Sequence, residues 1–182
     1  MAICWCDTLK HHHDIEEEVY FPAIDAFSGE KGLMNDNIKG HAAFSGGLDQ
    51  LAQYVYNAEK DISLFSAKEL KRMINIFAPA FMAHMVDEIP TLLELETYGN
   101  EEAALKMFQD TEAIIVASLD KYRSTPLLFK GHDKTFEGSI HSWPQVPFFV
   151  PYLIHYIYSR KYEGAWRFAP CSTWGEPLPL KM

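Results

Sequence analysis

Apolar residues recur at helical spacing up to about residue 124 and lose that period afterwards. Trp5, Leu9, Val19, Ala23 and Phe27 share one helical face, and Ser28-Gly29 ends the segment. Gly29 to Asn37 reads as a polar connector. A second helix follows with Ile38, Phe44, Leu48, Leu51 and Val55 on one side. Ser66, with Glu69 three residues later, has capping-box spacing and opens a third helix. Its apolar face is Leu70, Met73, Ile74, Phe77 and Phe81. Pro79 and Pro90 fall inside that pattern and predict a kink or break near each. Asn100 starts a fourth helix with Leu105, Phe108, Ile115 and Leu119 in register. Short connections between such helices predict an all-α, up-and-down four-helix bundle over residues 1–124.

Beyond Thr125 the pattern changes. Seven of the ten prolines lie there, and one candidate helix remains, Pro151 to Tyr162. The flanking stretches, Trp143 to Pro147 and Gly164 to Pro170, carry anchoring aromatics without a helical period. Residues 125–182 therefore read as a Pro/aromatic-rich C-terminal arm packed on the bundle.

Composition narrows the function. With 48% hydrophobic and 14% aromatic residues among 182, the chain can bury a sizeable core, which excludes disorder. A net charge of −9 without a Lys/Arg block argues against a nucleic-acid partner. No apolar run approaches the ~20 residues of a membrane span, and the N-terminus lacks signal-peptide character. Cys4, Cys6 and Cys171 are too few and too ill-spaced for a disulfide framework, so a reducing, cytoplasmic setting is expected.

The ionisable residues change the picture most. His12 follows Leu9 by three residues, and Glu16 follows His12 by four, which puts both in the apolar stripe. His41 lies three after Ile38, His84 three after Phe81, and Glu88 four after His84. Three helices thus each turn a histidine inward, and two add a carboxylate one turn away. Burying an ionised carboxylate costs several kcal/mol unless it is paired or metal-bound. A metal site resolves that cost, and imidazole with carboxylate suits iron, manganese or zinc. His13 with Glu17 is an equally spaced pair one residue on, and spacing does not choose between the two pairs. Tyr20, Tyr54 and Asp14 are candidates to orient a ligating imidazole.

Three segments carry a family resemblance. They are His11-His12-His13-Asp14-Ile15-Glu16-Glu17-Glu18-Val19-Tyr20-Phe21-Pro22, His41-Ala42-Ala43-Phe44 and His84-Met85-Val86-Asp87-Glu88-Ile89. In these the chain resembles the hemerythrin-like, or HHE cation-binding, family. The stretch from Gly131 to Cys171 also looks like the tail of filamentous-fungal hemerythrin-like proteins. The resemblance implies a di-iron site with His12, Glu16, His41, His84 and Glu88 as ligands, Glu16 and Glu88 bridging. Two departures are visible. The family's usual first helix, with its own histidine, is missing before His11. Ser45 also stands where oxygen-carrying hemerythrins place another histidine. Three explanations fit: a mis-set start with Met1 an internal methionine, a site reduced to one metal or to two with extra water ligands, or a bundle core opened as a pocket for a small molecule.

Two functions follow as expectations. The first is a non-haem iron protein that binds metal and takes part in dioxygen or redox chemistry. The second is a small-molecule isomerase or cyclase of fungal secondary metabolism that has reused the bundle. Its pocket for an apolar molecule would be lined by Trp5, Phe44, Phe77 and Phe81. His84, Glu88 and Glu16 would be its acid–base residues.

Overall fold

A computed structural model describes residues 1–139 and 144–179. Trp143 of the arm, with residues 140–142 and 180–182, lies outside the described residues. The chain is all-α, as expected. Its α-helices are α1 (Ala2–Ile15), α2 (Phe21–Ser28), α3 (Asn35–Lys60), α4 (Ala67–Leu93), α5 (Glu101–Ser118), α6 (Ser124–Gly131) and α7 (Val150–Tyr156). They fall into two compact units, residues 9–118 and residues 1–8 with 119–182.

In the first unit, α3 and α4 pack along their length as an antiparallel hairpin. A Cβ on Gly40 would meet His84, and a Cβ on Gly47 would meet Phe77, so seven residues up α3 match seven down α4. The hairpin turn is held by Tyr54, whose hydroxyl donates to the Ser66 carbonyl at 3.0 Å. Ser66 caps α4 by accepting from the Glu69 N–H, and Asn100 caps α5 by accepting from the Ala103 N–H. Phe21 and Ile24 of α2 close a small core with Met34 and Leu95.

Pro79 and Pro90 do not break α4, which runs unbroken to Leu93. Both prolines lie on its exposed side, as do Asn75 and Val86, whose carbonyls lose their helical partners there. Water can satisfy those carbonyls while the opposite face stays packed on α3. Helix α5 is rotated from its expected face. It buries Thr111, while Leu105 and Phe108 are 57% and 49% exposed. Apolar residues occur on both sides of α5, and Met107 is the one that joins the core around Phe21.

The second unit has a buried core of its own, including Phe129, Ile154 and Trp166. The candidate helix at Pro151 stops at Tyr156, and short 3₁₀ turns follow at Tyr158–Arg160 and Glu163–Phe168. Trp166 Nε1–H donates to the Ser159 carbonyl at 2.9 Å. Arg123 pairs with Asp7 at 3.0 Å, which ties residues 1–8 to this unit.

The adjacent glycines of α3 give a test of opposite signs. Gly47→Ala would place a Cβ 2.5 Å from Phe77 Cβ, whereas Gly46 has nothing within 4 Å. Gly47→Ala is expected to destabilise by about 1–3 kcal/mol through overpacking. Gly46→Ala is expected to stabilise by about 0.5–1 kcal/mol through helix propensity. Urea-unfolding midpoints read both; equal shifts would refute the close α3–α4 contact.

Candidate metal centre

The centre begins where α1 changes its winding. After Ile15 the helix makes one π turn, Glu16–Tyr20, closed by the Phe21 N–H bonding to the Glu16 carbonyl. Pro22 explains the turn, because its ring would collide with the carbonyl four residues back in a regular α-helix. The wider turn relieves that clash, and α2 restarts with proline in its first turn.

His13, on the last turn of α1, meets His41 of α3 and His84 of α4. Ring centroids are 4.3 Å apart for His13–His41, 4.5 Å for His41–His84 and 5.5 Å for His13–His84. All three are buried, and Phe44 packs against each of them. Gly40 admits this approach, since a Cβ there would sit 2.8 Å from His84 Nδ1. Glu16 and Glu88 are buried beside the rings. Glu16 Oε2 lies 3.5 Å from His41 Nε2, and Glu88 Oε2 lies 4.0 Å from His84 Nε2.

Five buried polar atoms here have no hydrogen-bond partner: Nε2 of His13, His41 and His84, Oε2 of Glu16 and Oε1 of Glu88. Each orphan of this kind costs about 1–3 kcal/mol in a folded protein. Such a concentration in one place calls for an acceptor of lone pairs, and a cation is one. Two groups have ligand atoms within 4.8 Å of one another and could hold an ion: His13, His41 and His84, and His12, His13 and Glu16.

Protonation favours the same chemistry. Burial, helped by neighbouring His41, His12 and His84, pushes His13 down to about 3. Burial and then His41 also lower His84. These imidazoles are therefore neutral, with free lone pairs, at ordinary pH. Burial, reinforced by the charge of Glu16, raises Glu88 to about 7 against the pull of His12. Burial would depress His12, but its hydrogen bond to Glu16 and the nearby carboxylate charges outweigh this and raise it.

The structure brings Glu16, His41, His84 and Glu88 together, as the helical spacing suggests. His12 stands at the edge, its side chain 44% exposed and its Nε2 3.0 Å from Glu16 Oε1. His13 takes the central position. Glu17 pairs with His41 rather than His13: His41 Nδ1–H donates to Glu17 Oε1 at 2.7 Å. That bond fixes the tautomer whose bare Nε2 faces the trio. The equally spaced His13–Glu17 pair was the signal for both residues. Tyr54 serves the hairpin turn and Asp14 pairs with Lys10 at 3.2 Å. Tyr20 is raised by burial and by the charges of Glu88 and Glu16, which places its hydroxyl in their field.

Phe44, Phe77 and Phe81 pack ring against ring, with centroids 5.4 Å apart for Phe44–Phe81 and 6.4 Å for Phe77–Phe81. Cys4, Cys6 and Cys171 are buried free thiols, and burial with the Asp7 charge pushes Cys6 up to about 12. None is poised as a nucleophile. Among the described residues no helix is long and apolar enough to cross a membrane.

Comparison with known proteins agrees with this geometry. The hemerythrin HHE cation binding domain matches residues 4–95, which span α1, the π turn, α2, α3 and α4. The chain is 39% identical over 175 residues to "Dimeric xanthone biosynthesis cluster protein R11" of Cryptosporiopsis sp. (strain 8999). That alignment covers 95% of this chain and 65% of the relative, so the chain spans less than two thirds of the relative's length. No solved structure matches. The chain belongs to the hemerythrin HHE cation-binding family.

Proposed function

We propose that this cation-binding domain holds iron through His13, His41, His84, Glu16 and Glu88, with His12 at the edge of the centre. The observation that carries this reading is a cluster of five buried polar atoms without hydrogen-bond partners, on the His13–His41–His84 trio and the two carboxylates beside it. Glu16 and Glu88 lie within one another's field beside the imidazoles, and two such neighbouring carboxylates suit a pair of ions. When bound, iron supplies the redox change and the free coordination position that dioxygen chemistry needs.

The chain's own residues do the rest. Glu17 keeps His41 in the ligating tautomer. Phe21, stacked on His41, and Phe44, packed edge-on and tilted against the imidazoles, keep water from the inner face. Glu88, raised by burial to about 7 in the metal-free chain, gives up its proton as it takes a cation.

The relative's name favours a second reading, in which His84, Glu88 and Glu16 act as acid–base residues on a small molecule of secondary metabolism. One experiment separates the two. Metal-free protein is loaded with Fe²⁺ without air, desalted, and assayed for iron and for absorption before and after exposure to air. About one to two irons per chain, with new near-ultraviolet and visible bands in air, are expected. Absence of retained iron would overturn the metal reading and leave the second.

A further inference from the structure

A small cavity opens between α1 and α3, and His13 and His41 of the centre are among the residues that line it. Its inner end is formed by His13 and His41, and Lys10, Asp14, Glu17 and Asp49 stand around its outer part. His13 and His41 are only 6% and 2% exposed, and the Nε2 of each lacks a partner. The volume is about 70 Å³, room for a few waters. Cavities that bind organic ligands run to about 300–1,000 Å³, so an organic substrate does not fit.

Charge selects further among small species. Three carboxylates face one ammonium, and the Lys10 ammonium is already engaged by Asp14 at 3.2 Å. Asp49 has no hydrogen bond or ion pair with any described residue, so the fold does not require its charge. An opening of this sign repels anions and concentrates cations. Carboxylate oxygens can also exchange for a cation's hydration waters one at a time before imidazole nitrogen takes over.

We propose that this opening is the entry route for a divalent cation, with Asp14, Glu17 and Asp49 as transit ligands between bulk water and His13 and His41. The proposal rests on the metal-binding reading above and adds a path to it.

Loading kinetics test it. The metal-free 182-residue chain is mixed with Co²⁺ in a stopped-flow instrument, and the rise of ligand-field absorption is followed. The mouth variant is D14K/D49K; the control E101K/E102K makes the same change in net charge on α5, outside the opening. At low ionic strength the mouth variant should load at least ~10-fold more slowly than wild type, and the control at the wild-type rate. The gap should close at about 0.5 M salt, with the final absorption unchanged throughout. If the lysines disturb folding, D14N/D49N should still load about threefold more slowly. Equal rates for mouth variant and wild type, with full final absorption, overturn the route and leave the metal centre standing. Equal slowing in the control shows bulk charge at work and also overturns it. Reduced final absorption in the mouth variant makes Asp14 or Asp49 part of the centre and does the same. A wild-type chain that takes up no Co²⁺ overturns the route and the metal reading together.

Discussion

Replacing His13 by leucine is expected to remove the metal and to make the metal-free chain more stable. His13 belongs to both groups of residues able to hold an ion, so no arrangement of the remaining side chains replaces it. Bound iron should fall below about a tenth of the wild-type amount, the loss expected when a direct ligand goes rather than its 10–100-fold supporting partner. The stability change has the opposite sign. In the metal-free fold His13 Nε2 is buried without a partner, and so are the atoms it faces. A leucine of similar volume removes one orphan and adds apolar contact with Phe44. That is worth about 1–2 kcal/mol, or about 2–8 °C in thermal midpoint for a chain of this size. His11→Leu is the control, because His11 bonds to Ser118 at 2.7 Å, away from the trio. Undiminished iron in His13→Leu would remove His13 from the ligand set. A lower midpoint for the metal-free variant would show that the buried nitrogen is satisfied after all.

Stripping the metal should produce the second large effect. A ligand at a thousand times its dissociation constant stabilises the fold by about 4 kcal/mol. Chelation is therefore expected to lower the midpoint by about 8–16 °C. The metal-free chain should also acquire its own pH dependence. His13 titrates at about 3 in the fold against an ordinary 6.5, so its contribution is complete above 6.5 and is lost as pH falls towards 3. Glu88 is raised from 4.5 to about 7, so its contribution is complete below 4.5 and is lost as pH rises through 7. The two oppose each other between 4.5 and 6.5. Thermal midpoints of chelator-treated protein should thus be flat across that interval and decline on both sides. A midpoint rising steadily from pH 4 to 8 would contradict the buried state of Glu88.

Much of this centre was legible in the sequence because a helix buries a stripe, and a charged residue on that stripe is conspicuous. His41, His84, Glu16 and Glu88 stood out in this way. The choice between His12 and His13 did not. Consecutive residues lie 100° apart on a helix, so a small rotation of α1 decides which one is central. Spacing pairs Glu17 with His13 because i, i+4 neighbours are visible along a chain, whereas the bond from His41 to Glu17 joins residues 24 apart. Pro79 and Pro90 predict a kink or a break near each, and α4 continues through both without a break. Whether a proline breaks a helix depends on whether the freed carbonyl meets water, and only the packing of α3 settles that. In α5, two apolar faces of similar strength left the rotation to its neighbours. Beyond Thr125 the helical period survives only around Pro151, yet that stretch builds a core from Phe129, Ile154 and Trp166 through short turns that pattern does not reveal.

The π turn has a consequence for which changes of length the chain can accept. By absorbing one extra residue it offsets α2 from α1 by about a quarter turn relative to a continuous helix. The His12–Glu16 end can therefore look at the centre while Phe21 and Ile24 look at Met34 and Leu95. Deleting any one residue of Glu16–Tyr20 would straighten the helix and break that arrangement, swinging either the donor atoms or the two apolar side chains out of place. The segment works as a phase coupling between two faces, and the coupling holds only while the number of residues between them stays the same.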